Sequence, residues 1–130
     1  MRILSPTDIA PPFANYSHGV MLPPGYDIVK TSGQLGLSAA GEIPADAFDQ
    51  ARICFDNTLS ILAEAQMTAR DVFHLQAYVT DRAHMQGYMK ARDMFLEGVV
   101  ARPTSTLMIV SGFTKPEFVV EVEVWAAKAP

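Results

Sequence analysis

Proline divides this chain into three parts. Of its nine prolines, six stand at positions 6, 11, 12, 23, 24 and 44, and the next is Pro103. Proline lacks an amide hydrogen and clashes with the preceding turn, so long helices belong in the proline-free middle. Short strands and turns are left for the flanks. From Asp46 the apolar period becomes 3.6: Phe48, Ala51, Phe55, Leu59, Leu62 and Ala65 share one face, with Asp49, Arg52, Asp56 and Glu64 mostly off it. This predicts a helix of about 20 residues. A second helix is expected over residues 82–97, burying Met85, Met89, the stem of Arg92, Phe95 and Leu96, with Gly98 and Pro103 to end it.

Between the helices, Thr68-Ala-Arg-Asp71 has the pattern of a capping box, hence one short turn. Residues 72–80 then alternate Phe73, Leu75, Ala77 and Val79 against Val72, His74, Gln76 and Tyr78, as a strand does. In the first flank, residues 16–21 read as a strand, Pro23-Pro24-Gly25 as a turn and residues 26–32 as its hairpin partner, before a loop marked by Gly33, Gly36 and Gly41. Strands at 105–111 and 118–127 close the chain. In the last, Phe118, Val120, Val122, Val124 and Ala126 face one way and Val119, Glu121, Glu123 and Trp125 the other.

The order β-β-α-β-α-β-β, with adjacent strand pairs at both ends, predicts antiparallel pairs and an α+β domain over residues 1–130, two helices on one face of the sheet. The opposite face keeps Val119, Trp125 and Phe73 or Tyr78, too much apolar surface for water, which points to burial against another subunit.

Composition narrows the function classes. With 49% hydrophobic and 18% charged residues the chain is not disordered. A net charge of −4 argues against sequence-independent nucleic-acid binding, which needs gathered cations. Cys54 is the single cysteine, so an intrachain disulfide is impossible. No apolar run reaches the ~18 residues of a membrane span, and the N-terminus has no signal-peptide core, so a cytoplasmic location is expected.

Few residues offer chemistry. Glu121 and Glu123 are two apart on one strand face, roughly 6.6 Å from each other. They are either a solvated edge or an acid–base pair in which a buried member has a raised pKa. His18, His74 and His84 form no metal-ligand pattern. Cys54 lies mid-helix beside Phe55, as a small core residue does. Ser32-Gly33-Gln34 follows a strand as a ligand-lining loop can, but its glycines lack phosphate-loop spacing.

Taken in order, several short motifs converge. Ala14-Asn-Tyr-Ser17 with His-Gly-Val, Thr31-Ser-Gly-Gln34, Phe55-Asp-Asn-Thr-Leu-Ser-Ile-Leu62, Tyr78-Val-Thr-Asp81, Arg102-Pro103 and Val119-Val-Glu-Val-Glu123 together resemble the Rid (RidA/YjgF) family of reactive-intermediate deaminases. The resemblance covers almost the whole chain. It implies a chorismate-mutase-like α+β fold and a homotrimer whose sheets form a central barrel, with small carboxylates bound in clefts between subunits. It also implies a reaction without metal or organic cofactor: an enamine such as 2-aminoacrylate tautomerises to an imine, and water releases ammonia and a 2-oxo acid. The enzyme class implied is a 2-iminobutanoate/2-iminopropanoate-type deaminase. By the same resemblance Tyr16 and Gly33 line the cleft, Glu121 holds the attacking water and Glu123 supports it.

One element of the pattern is missing. The family places a carboxylate-clamping arginine two residues after the proline, where this chain has Ser105 in Pro103-Thr-Ser-Thr. Ser105 and Thr106 can donate hydrogen bonds but cannot neutralise charge. Losing a charged partner weakens carboxylate binding by roughly 10- to 150-fold. Two readings therefore stand: a deaminase acting on a related enamine or imine, or a non-catalytic small-ligand-binding trimer. Some family members carry the label endoribonuclease, against which the acidic charge and the lack of a basic aromatic groove both argue.

Overall fold

Two helices, each with one apolar face, cover one side of a mixed sheet in the computed structural model, which describes Met1–Pro130. Helix α1 spans Ala47–Glu64. It starts at Asp46 because that carboxylate accepts the Phe48 amide at 2.6 Å, satisfying one of the helix's free donors. Its inner face is Ala47, Gln50, Ala51, Cys54, Phe55, Thr58 and Leu62. Leu59, expected on that face, is 39% exposed. Thr58 takes the inner position instead, its hydroxyl satisfied by the Cys54 carbonyl at 2.8 Å.

Helix α2 spans Met85–Phe95 and is shorter than expected. Residues 82–84 form a separate 3₁₀ turn, capped by Asp81, which accepts the Ala83 amide at 2.8 Å. The helices cross closely at Gly87, where a Cβ would stand 2.9 Å from the Phe48 nitrogen. Tyr88, Ala91, Arg92 and Leu96 are buried; Met85, Met89 and Phe95 are half-buried.

The sheet contains β3 (Asp27–Lys30), β4 (Gln34–Leu35), β5 (Val72–Val79), β6 (Thr104–Ile109) and β7 (Val120–Lys128), in the order β3-β7-β5-β6 with β4 also beside β7. Strand β7 runs antiparallel to β3, β4 and β5, whereas β5 and β6 are parallel. The antiparallel pairs expected at the two ends do not form. The last two strands are separated by β5, because α2 is a crossover that returns the chain parallel to the strand it left. The first hairpin is absent too: β3 pairs with the long β7, and β2 (Gly19–Met21) pairs with β1 (Arg2–Leu4), a strand not foreseen in the sequence. Tyr16 lies in the loop before β2 rather than in a strand.

The core is Leu75, Ala77, Val79, Val120, Val122, Val124 and Ala126 of the sheet against the inner faces of the helices. Each such Val or Leu contributes about 1.5–3 kcal/mol by leaving water. Val72 enters the core in place of Phe73, since the register shifts between Val72 and His74. A fully buried glutamine ties the loops. Gln50 Nε2 donates to the carbonyls of Pro44 and Glu117, both at 2.8 Å, and its Oε1 accepts the Val119 amide at 3.0 Å. No helix is long and apolar enough to cross a membrane.

Candidate functional site

The strand period of two puts Glu121 and Glu123 on the face of β7 that the helices leave open. Glu121 stands opposite Tyr78 on β5 and Leu35 on β4, and Glu123 stands opposite Gln76. The two carboxylates have different surroundings. Glu123 accepts the Tyr78 hydroxyl at 2.9 Å and pairs with Lys30 at 3.3 Å. Glu121 has no hydrogen-bond partner within the chain, and burial, then the negative charge of Glu123, hold its pKa above the usual carboxylate value.

Gly33 explains how the loop reaches that carboxylate. A Cβ on Gly33 would lie 2.7 Å from the Glu121 carboxyl carbon, so only a bare backbone packs flat against it. The rest of the open face is aromatic and polar. His74 donates to or accepts from Thr104 Oγ1 at 2.7 Å and lies 5.0 Å from the Trp125 ring; its pKa is lowered by burial. Thr106 is exposed on the same face, opposite Gln76.

Tyr16 and Ser105 meet elsewhere. Ser105 pairs with Leu75 and so points to the helix side of β6, while Thr106 points to the open side. The Ser17 amide donates to the Pro103 carbonyl at 3.0 Å and the Ser17 hydroxyl to the Arg102 carbonyl at 2.7 Å. These two bonds fix Tyr16 beside the start of β6. Between this loop, α2 and β6 lies a cavity of about 250 Å³ whose wall includes Tyr16, Met85, Tyr88, Arg92, Ser105 and Leu107.

The structure thus joins Glu121 with Gly33, and Tyr16 with Ser105, but places the two pairs on opposite faces of the sheet. Ser105 and Thr106 do not converge either. Two cavity residues, Tyr88 and Arg92, escaped the sequence reading as site residues. The available signal was a charged residue on the apolar stripe of α2, of which only the stem was expected to be buried. In fact the whole Arg92 side chain is 6% exposed. Cys54 is no nucleophile: burial pushes its thiol up to about 12. No three His, Cys, Asp or Glu side chains converge on a metal position.

Against known proteins, a family model described as endoribonuclease L-PSP matches residues 7–128. "Putative reactive intermediate deaminase TdcF" of Escherichia coli K12 is 38% identical over 55 residues, 42% of this chain and 43% of that protein. The matched stretch is thus less than half the length of that curated relative. In structure, the chain is similar to YyfB of Yersinia pestis, a Rid-family protein of unknown function, with a TM-score of 0.85, 26% identity and 98% of each chain covered. It is also similar to E. coli TdcF with bound serine, with a TM-score of 0.74, 28% identity, and 99% of this chain and 100% of that one covered. A family match over nearly every residue, two helices on the same mixed sheet and the ordered motifs agree: the chain belongs to the Rid (YjgF/RidA) family.

Proposed function

We propose that this chain is a hydrolytic deaminase of a reactive enamine or imine, working in clefts between the subunits of a homotrimer. The enamine tautomerises to its imine. Water adds to the imine carbon while one of its protons passes to Glu121, which delivers it to nitrogen. Glu121 then carries the hydroxyl proton of the resulting carbinolamine to the same nitrogen as the C–N bond breaks, leaving a 2-oxo compound and ammonia. The observation that carries this reading is the state of Glu121: half-buried, without a partner, shifted upward in pKa and pressed against Gly33. A general base works best when its pKa approaches the operating pH. The division of Tyr16 and Ser105 from Glu121 and Gly33 supports a site completed by a neighbouring subunit. The serine held by TdcF supports a small amino-acid-like ligand.

The test is ammonia release from enamines generated in situ from several amino acids, above the spontaneous rate. Glu121→Gln should fold and lose about 10²- to 10⁴-fold in rate, the usual share of a general base. Activity should fall on the acid side as Glu121 takes up a proton, with a midpoint above that of an ordinary glutamate. Glu123→Gln should move that midpoint down, since it removes a negative neighbour. Full activity in Glu121→Gln would exclude this carboxylate as the base.

A second reading is a non-catalytic ligand-binding trimer, favoured by Ser105 at the clamp position. Ammonia release that never exceeds the spontaneous rate, for any amino acid supplied, would select it. An endoribonuclease reading has less support, because the open face presents Glu121 and Glu123 where phosphates would need cations.

A further inference from the structure

The cavity between the N-terminal loop, α2 and β6 has Ser105 rather than a guanidinium on its β6 wall, yet a guanidinium lies on its α2 wall. Arg92 is 5% exposed and belongs to that wall, one turn of α2 after Tyr88. A buried arginine is costly unless its donors are used. Its Nε and one Nη both go to a single oxygen of the adjacent Asp93, at 3.2 and 3.0 Å, and that oxygen also accepts Asn15 Nδ2 at 3.0 Å. The Asp93 side chain is 54% exposed, so this pair is half-wet and weakly held.

A second, independent observation comes from Tyr88. The residue is fully buried, and its hydroxyl has no well-formed hydrogen bond: the Ser105 hydroxyl is only a loose partner, and the Arg92 guanidinium and the Asp93 carboxylate lie near it. Buried phenols normally find a partner. Desolvation pushes this one up to about 12, so at neutral pH it is protonated and able to donate. Arg92, Tyr88 and Ser105 therefore present donors to one cavity whose wall carries no carboxylate, with Met85, Met89 and Leu107 as its apolar side.

We propose that α2 supplies the clamp missing from β6: Arg92, with Tyr88 and Ser105, forms the carboxylate-binding end of the cleft, and the ligand class is a monocarboxylate with a small apolar side chain. This deepens the reading of the cleft given above and rests on it for the ligand's identity, though not for the presence of an anion site. Asp93 competes with the ligand for the guanidinium and is displaced toward solvent on binding.

The experiment is equilibrium binding, by calorimetry, of 2-oxobutanoate and of its neutral amide 2-oxobutanamide to the assembled wild-type protein and three variants. The wild type should prefer the carboxylate. Arg92→Gln should weaken carboxylate binding by about 10- to 100-fold, as loss of a charged hydrogen-bond partner does, and abolish the preference over the amide. Tyr88→Phe should weaken it several-fold while leaving the melting temperature equal or higher, because it removes an orphaned buried hydroxyl. A purely structural tyrosine would move neither affinity nor selectivity. Asp93→Asn should tighten binding.

If Arg92→Gln does not fold, Tyr88→Phe and Asp93→Asn decide. Equal affinity of the wild type for acid and amide overturns the inference, as does unchanged carboxylate affinity in either of those two variants. Because binding is read without turnover, the two readings fail separately. Carboxylate binding through Arg92 without ammonia release defeats only the deaminase. Ammonia release with carboxylate affinity unmoved in Tyr88→Phe and Asp93→Asn defeats only the clamp.

Discussion

At the scale of single residues, the contact between Gly33 and Glu121 separates a functional role from a structural one. Gly33 does not have the left-handed backbone that would by itself require glycine. A methyl group there would collide with the tip of Glu121, a flexible side chain that can swing aside. Gly33→Ala should therefore leave the thermal midpoint nearly unchanged and displace the carboxylate. Misplacing a catalytic group by about 1 Å costs on the order of 100-fold. Ammonia release should fall by that order; a variant as active as the wild type would mean that the carboxylate need not lie against the loop. Glu123 differs from Glu121 because Tyr78 and Lys30 already occupy its oxygens.

At the scale of elements, the placement of the site loop depends on a residue with no chemistry of its own. Gln50 on α1 satisfies two carbonyls and one amide in the loops leading into α1 and β7, and Gly36 lets β4 lie directly on it, a Cβ there coming within 2.8 Å of the Gln50 Cα. Gln50→Leu keeps the volume and removes all three bonds. Each orphaned buried group costs about 1–3 kcal/mol, so unfolding by urea should show a loss of roughly 3 kcal/mol or more with an unchanged m-value. A loss below about 1 kcal/mol would mean that water takes over those groups. Since the Gly33 loop runs directly into β4 and Glu121 lies on β7, partial activity loss should accompany the destabilisation.

At the scale of the whole molecule, one chain leaves the sheet unfinished. Strand β6 is an edge with free backbone groups, and Met108 and Ile109 on it are 53% and 45% exposed. Trp125 and His74 line the open face, where the buried amide nitrogen of Gln76 also lacks a partner. Edges and faces of this kind aggregate unless covered. Closure of three sheets into a barrel would cover both. Sedimentation equilibrium should therefore give about 43 kDa, three times the 14.2 kDa chain. A stable 14 kDa species at micromolar concentration would remove both the trimer and the intersubunit cleft.

The sequence alone determined the helices, the long strands and most of the buried faces, because proline placement and the periods of 3.6 and 2 are local properties of the backbone. The faces of Leu59 and Phe73 were misassigned where a neighbour or a register shift took the inner position. It also identified the family through ordered motifs, and the same motifs singled out Gly33 and Glu121, which the structure brings into contact. Strand partners were beyond its reach: β2 turns to β1, and β5 inserts between β6 and β7, because pairing depends on crossover handedness and on which partner is long enough. The expectation of antiparallel end pairs treated neighbours in the chain as neighbours in space. Periodicity puts Ser105 and Thr106 on opposite faces of a strand, but it could not show which of the two faces the helices, or that the head of Arg92 is buried with its stem. Those facts arise only when α2 is laid across β6, where residues 92 and 105 come to share one cavity.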